Sequence, residues 1–332
     1  MKFLITGAAG GIGSLLSQRL QKLGHSTVLV DNLRNGFLQN LRLLNVDLGD
    51  FHNLDIRNIN TIQGKYKKID AVFHLAAISS LSDCEMNKSE CISINVEGTV
   101  CMLEFARKIE CKKFIFASSS AVYENNIEEF LTEELPIKPK LFYSNSKKMA
   151  EDACMSFTEN YGLPTVIPRL FNVFGPYQDL KRINPPLVNY IVREYMNNRI
   201  PILHSNGMQV RDYISVYDVV DFLCISATKS NTGIYNVCSQ KLFSVREIVA
   251  IIQKTMNLQI QPIYRDGKHL WDDNVLLFEG HYSLKREIVA KETEKFVQGS
   301  NKKAKSDFGW EPKRDVKDEL ELTVRQILAN ES

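Results

Sequence analysis

Four glycines set between an apolar run and an amphipathic one constrain this chain more than any other feature. Phe3–Thr6 is apolar and strand-like, Gly7-Ala8-Ala9-Gly10-Gly11-Ile12-Gly13 follows, and Gly11–Leu23 then carries Ile12, Leu15, Leu16, Leu20 and Leu23 at helical spacing. A strand that turns on glycine into a helix lets the backbone approach a pyrophosphate closely. The helix start adds free N–H groups and the positive end of a dipole. Glycine clusters alone are weak evidence, since many are only turns. Here the next strand, Thr27–Val30, ends in Asp31, followed by Asn32. A carboxylate at that place accepts hydrogen bonds from both hydroxyls of an adenosine ribose and repels a 2′-phosphate, which favours NAD over NADP. Arg34 is a nearby cation able to pair with such a phosphate instead.

The alternation continues. Ile69–Leu75, Phe114–Ala117 and Thr165–Leu170 read as strands, Ile92–Ile109 and Met149–Tyr161 as helices. Strands separated by helices of this length imply βαβ units, hence an α/β fold with a doubly wound parallel sheet of Rossmann type. The 332 residues are about twice one common domain. Residues 1–170 are expected to form the dinucleotide domain, with 213–239 returning to it. After Leu170 prolines punctuate the chain, at 176, 185, 186 and 201, and the rhythm breaks. Residues 171–212 and 240–332 are expected to form a smaller α+β lobe that binds substrate. Ser244 and Glu247 have the spacing of a capping box before the helix Val245–Met256. The charge-rich stretch Lys285–Lys303 reads as a solvated face.

Lys plus Arg total 41 and Asp plus Glu 39, a net +2 that argues against nucleic acid as the partner. No apolar run reaches the roughly 18 residues needed to cross a bilayer, so no membrane insertion is expected. The N-terminus lacks the pattern of a signal peptide. Seven scattered cysteines form no Cys-x-x-Cys pair, which indicates neither a metal site nor a disulfide framework and suits a cytoplasmic protein.

Ser118-Ser119-Ser120 ends the fourth strand, and Tyr143-Ser144-Asn145-Ser146-Lys147 comes later. A spacing of four puts Tyr143 and Lys147 on one helix face. A tyrosine with a pKa near 10 cannot act as a base at neutral pH, but a neighbouring ammonium favours the phenolate. Such a phenolate can take a hydroxyl proton while hydride leaves the same carbon for a nicotinamide. A serine hydroxyl can orient the substrate oxygen. Tyr-x-x-x-Lys alone is common on helices; its weight comes from standing behind the glycine turn.

With these residues the chain resembles the extended short-chain dehydrogenases/reductases, and among them the UDP-sugar 4-epimerases. Further motifs carry the resemblance along nearly the whole length: Asp55-Ile56-Arg57-Asn58, Phe73-His74-Leu75-Ala76-Ala77, Asn95-Val96-Glu97-Gly98-Thr99, Ser118–Tyr123, Pro168–Pro176, Arg211-Asp212-Tyr213-Ile214 and Gly309-Trp310-Glu311-Pro312. The resemblance implies an NAD-dependent nucleotide-sugar epimerase, homodimeric through two such helices. Gly7, Gly10, Gly11, Ile12 and Gly13 would hold the pyrophosphate. Asp31 and Asn32 would meet the ribose, Asp55 and Ile56 the adenine, while Leu75, Ala76 and Ala77 would line the groove. Asn95 would lie beside the cofactor. Ser119, Tyr143 and Lys147 would be catalytic, with Tyr143 and Lys147 also touching the cofactor. Ser119, Tyr143, Asn172 and Arg211 would bind substrate. His74 is expected to be a packed core residue.

Departures narrow the chemistry. The 4,6-dehydratases of this family carry an Asp-Glu pair after the serine, and the decarboxylases a glutamate; Ser120-Ala121 stand here. Epimerisation, or a net oxidation or reduction by a dehydrogenase or ketoreductase, remains, as does a non-catalytic NAD-binding role. Glu124 stands where relatives have glycine, and reads as a loop change. Residues 266–300 form an unusual stretch in which Trp271 is expected to anchor an insertion.

Overall fold

Strands that are apolar without alternation need cover on both faces, and these have it. The computed structural model describes residues 1–128 and 130–331; Glu129 and Ser332, which fall inside the two expected lobes, lie outside the described residues. The strands are β1 (Lys2–Thr6), β2 (Ser26–Asp31), β3 (Phe51–Asn53), β4 (Ala71–His74), β5 (Phe114–Phe116), β6 (Ser118–Ser119), β7 (Thr165–Leu170), β8 (Asn172–Phe174), β9 (Ile202–His204), β10 (Val210–Ser215), β11 (Gly233–Val237), β12 (Leu242–Ser244) and β13 (Ile263–Arg265). The main sheet runs β11-β7-β5-β4-β1-β2-β3, all parallel, with β6 beside β7.

The order reverses at β1, whose neighbours are β2 and β4. Thr6 lies level with Val30 on one side and His74 on the other. Gly7, Asp31 and Leu75 therefore emerge together at the carboxyl ends of the strands, where a doubly wound sheet opens its crevice. One face is covered by the helices Gly11–Lys22 and Val216–Thr228 with Phe308 and Trp310, the other by Gly98–Lys108, Phe142–Tyr161 and the 3₁₀ stretch Ile56–Lys65. The chain does return to this sheet through β11, alongside β7.

The remainder packs separately. β12-β10-β8 form a small sheet and β13-β9 a two-stranded one. The helices Leu187–Met196, Val245–Met256 and Val316–Glu331 enclose a core of Ile191, Ile248, Ile252, Leu320 and Val324. The capping box is present: Ser244 accepts from the Glu247 N–H while Glu247 accepts from the Ser244 N–H.

Three expectations are corrected. The helix expected at Met149–Tyr161 begins seven residues earlier, at Phe142. After Phe142 and Tyr143 its start is polar through Lys148, with no apolar period, and tertiary carboxylates hold the first turn instead. The helix expected over Ile92–Ile109 starts earlier, at Lys88, and stays helical to Lys108 with a π turn at Ser93–Glu97 inside it. The stretch Lys285–Lys303 is not merely a solvated face: Val289 is fully buried, and the backbone of Asp212 donates to Val297. Trp271 is buried among Leu141, Leu277 and Val289, with Leu81 and Met86 of the other lobe packed against them. It is the anchor of the insertion, as expected. Among the described residues no helix is long and apolar enough to cross a membrane and no side-chain group could hold a metal. All seven cysteines are free thiols.

Candidate active site

The glycine turn is closed to anything with a side chain. A Cβ on Gly13 would stand 2.1 Å from the Gly7 carbonyl oxygen, and one on Gly7, at φ +67°, would meet the Ala76 nitrogen at 2.9 Å. Such a cradle leaves backbone N–H groups facing open space at a helix start, which fits a dinucleotide pyrophosphate. Asp31 is buried. Its Oδ2 accepts from the Ala9 N–H at 2.9 Å and its Oδ1 from the Leu33 N–H at 2.8 Å. Burial pushes its carboxyl up, against the pull of those two N–H groups. Arg34 is held in a two-pronged pair with Glu90. It borders the same cavity as Asp31, with its guanidinium shared with Glu90.

Asn32 reaches Asp55 at 3.5 Å, and Asp55 is held by the Arg57 guanidinium at 2.9 and 2.7 Å. Arg57 keeps that carboxyl below the usual range. Asp55 also accepts from the Arg57 N–H, so it caps the 3₁₀ stretch while lining the cavity. Gly7 through Gly13, Asp31, Asn32, Asp55, Ile56 and Leu75 through Ala77 all border one cavity, apart from Ala8 and Ala9. Asn95 does not. Its amide spans Ile78, accepting from that N–H at 2.8 Å and donating to that carbonyl at 3.0 Å, and it donates to Ser146 at 3.0 Å. It is a satisfied core amide that ties the post-β4 loop to the helix of Tyr143, not a cavity wall. His74 is likewise a core residue, bonded to Thr6 and Thr99, and burial takes it down to about 3.

Ser118 is consumed by structure: its hydroxyl donates to Glu151, which forms a buried pair with Arg169 at 2.7 Å. Ser119 is the hydroxyl left for chemistry. It accepts from the Ala121 N–H at 3.1 Å, and its hydroxyl favours the Tyr143 phenolate. Lys147, one turn on from Tyr143, is buried and donates to the Ala117 carbonyl at 2.8 Å. Its ammonium lies 6.0 Å from the Tyr143 ring centre. Burial pushes Tyr143 up to about 12 and Lys147 down to about 8. Lys147 is not among the groups that draw the phenol down, as the sequence suggested it would be. The pulls that favour the phenolate come from the Ser119 hydroxyl and the charge of Arg182.

Arg182 was not foreseen. It lines the cavity, donates to Ser79 at 3.2 Å, and its buried Nε has no partner; among the described residues no carboxylate lies within ion-pair distance. It sits in an irregular, proline-flanked loop with no periodicity to mark it. Gln178, on the same loop, packs over Gly11.

Asn172 and Arg211 stand on neighbouring strands, β8 and β10, with Asn172 level with Tyr213, and neither borders that cavity. Asn172 donates to the Asp212 carbonyl at 3.0 Å. Arg211 does not pair with Asp212, whose carboxyl is buried on the N–H groups of Ser239, Gln240 and Gly299. The Arg211 guanidinium instead donates to the carbonyl of Glu292 at 2.6 Å.

A dinucleotide cradle leading to a Ser–Tyr–Lys set defines an enzyme of the short-chain dehydrogenase/reductase type. Residues 3–238 match the model of the NAD dependent epimerase/dehydratase family, and the chain belongs to it. A putative UDP-glucose 4-epimerase of Methanocaldococcus jannaschii is 29% identical over 98% of both chains. Among solved structures, UDP-glucose 4-epimerase of Thermotoga maritima with UDP-glucose aligns over 100% of both chains at 25% identity and a TM-score of 0.86. UDP-glucose 4-epimerase of Thermus thermophilus in complex with NAD aligns over 99% of both, at 25% identity and a TM-score of 0.82.

Proposed function

We propose that this protein is an NAD-dependent epimerase of a nucleotide-diphosphate sugar, acting at C4. The observation that carries the reading is the trio itself, with no second acid free beside it. The Ser119 hydroxyl favours the Tyr143 phenolate, and Lys147 is fixed on the strand end. Ser120 and Ala121 occupy the places where an acid would serve dehydration or decarboxylation, and the nearest carboxylate in sequence, Glu124, is bound to backbone. Such a site supports reversible removal of a proton and a hydride, and little else.

When bound, the nicotinamide would accept a hydride from the sugar carbon and return it to the other face. Tyr143 would take and return the hydroxyl proton at its Oη. Ser119 would hold the substrate oxygen in line with that Oη. Lys147 would hold a nicotinamide ribose hydroxyl and lend its charge to the phenolate. Asn172 and Arg211 would face the substrate diphosphate. Asp31 supports NAD over NADP.

Seven free thiols support a cytoplasmic location, and exposed apolar residues on two adjacent helices support a homodimer. The decisive experiment is incubation with a panel of UDP- and dTDP-sugars followed by NMR, without added cofactor. Interconversion of C4 epimers with no net NADH is the expected result. Stoichiometric NADH formation would establish the dehydrogenase reading instead.

A further inference from the structure

Arg182 stands in the cavity wall with no anion to meet, and the surrounding structure fixes it there. Its loop, residues 175–186, joins β8 to the helix Leu187–Met196 and is locked from several sides. Asp179 accepts from the N–H groups of Lys181 and Arg182 at 2.8 and 3.1 Å. Arg193 donates to the carbonyls of Leu180 and Arg182 at 3.1 and 2.8 Å. Asn184 donates to the Ser82 hydroxyl at 2.8 Å, which ties the loop to the other lobe.

The Arg182 side chain is half-buried, and its Nη1 donates to the Ser79 hydroxyl at 3.2 Å. The other edge of the guanidinium, Nε with Nη2, has no partner among the described residues. That edge is the fork that takes a carboxylate by two parallel hydrogen bonds. The Ser79 hydroxyl, which accepts from Nη1, keeps its own proton to donate to the same group. Asp179 and Asp83 pull on the charge without pairing with it. A cation taken partly out of water without a counter-ion costs free energy that a bound anion recovers.

Two neighbours locate the guanidinium along the cavity. Gln178 and the Tyr177 carbonyl lie over Gly11, where a Cβ would meet either at 3.2 Å, so this part of the loop covers the pyrophosphate cradle. Arg182 is four residues further on, at Ser79, beyond the end of β4. That strand stands between β1 and β5, on the side away from Asp31. Ile78, beside Ser79, is held by the Asn95 amide; Asn95 donates to the Ser146 hydroxyl, which donates to the Tyr143 carbonyl at 2.7 Å. Glu85, in the helix Leu81–Met86, takes the Phe142 N–H at 2.7 Å. The guanidinium therefore rests on the segment that braces the start of the Tyr143 helix.

We propose that Arg182 binds a carboxylate on the sugar of the substrate, so that the nucleotide sugar this enzyme takes is a uronic acid. The proposal rests on the epimerase reading given above. The glycine cradle serves the cofactor pyrophosphate, and Asn172 with Arg211, outside this cavity, the substrate diphosphate; neither needs a second cation at Ser79. A C6 carboxylate hangs from C5, the ring carbon beside C4, and so lies at the reacting end of the sugar, where Tyr143 works.

The test is calorimetric titration of the NAD-loaded protein with the glucuronate and glucose compounds of UDP and of dTDP, which needs no turnover. The uronate should bind at least about thirtyfold more tightly than the glucose compound of the same nucleotide, as expected for a paired, partly buried charge. R182Q should abolish that preference. R182K keeps the charge but loses the fork, and should retain about a tenth of it. The NAD extracted from both variants should match that of the unmodified protein, and in turnover the loss in R182Q should fall on KM for the uronate. Equal affinity for uronate and glucose compounds with both nucleotides refutes the proposal. Loss of NAD from R182Q with unchanged circular dichroism refutes it too, and assigns the guanidinium to the cofactor phosphates. If the uronate is preferred and no nucleotide sugar is epimerised, the functional reading falls and the carboxylate site stands.

Discussion

Tyr143 sits under two opposing demands. Burial favours the neutral phenol, while Ser119 and Arg182 favour its anion, and the balance leaves it near 12. Replacing it with phenylalanine keeps the ring and removes only the proton acceptor, so folding and NAD content should survive while turnover falls about 10²–10⁴-fold. Single-turnover kinetics on the cofactor-loaded variant check this, and full activity would remove Tyr143 from the site. Asp31 gives the second residue-level prediction. Both its oxygens already hold backbone donors, so Asp31→Ala should weaken NAD by about 10–100-fold, the worth of one or two charge-assisted hydrogen bonds, and NADP by less. Calorimetric titration of cofactor-stripped protein measures both; equal losses for the two would show that Asp31 shapes the turn without reading the ribose. The glycines, Asp31, Tyr143 and Lys147 were legible because each is a residue type with few substitutes at a fixed spacing from a strand end. Arg182 was not, since it depends on segments brought together across the fold.

At the scale of elements, strands and amphipathic helices were read within a residue or two where period and caps agree, as at Val245–Met256. They failed where long-range contacts replace local signals. Phe142–Tyr161 is the clearest case: its N-terminus has polar residues, no local side-chain cap, and two carboxylates that arrive from elsewhere. The same helix is pinned in its middle by Glu151, which takes Arg169 at 2.9 and 2.7 Å and the Ser118 hydroxyl, while Arg169 also donates to Tyr123 at 2.7 Å. Both members of the ion pair are buried. Arg169→Met should therefore destabilise the protein by about 3–5 kcal/mol, because it leaves a buried carboxylate unpaired. Urea unfolding at constant slope reads the loss. Glu151→Leu combined with Arg169→Met should recover a large part of it. A double variant no more stable than the single one would show that the pair holds the helix by geometry and not by compensation of charge.

At the scale of the whole molecule, one helix connects chemistry, lobe contact and surface. Phe142–Tyr161 carries Tyr143 at its start, receives the insertion through Leu141, and turns an outer face to solvent beside Gly98–Lys108. That face is not polar throughout. Met149 is 48% exposed and Val100 on the neighbouring helix 37%, with Ala153 and Cys101 half-buried between charged residues. Two adjacent parallel helices with an apolar strip and flanking charges can bury that strip by meeting their own copy, which closes a four-helix bundle about a two-fold axis. We therefore expect a light-scattering mass of twice the chain at micromolar concentration. The double substitution Val100→Glu and Met149→Glu should give a monomer, since each charge would otherwise be buried without a partner. Because the same helix positions Tyr143, the monomer should also turn over more slowly at saturating substrate, with NAD still bound. A monomer mass for the unmodified protein would remove this interface.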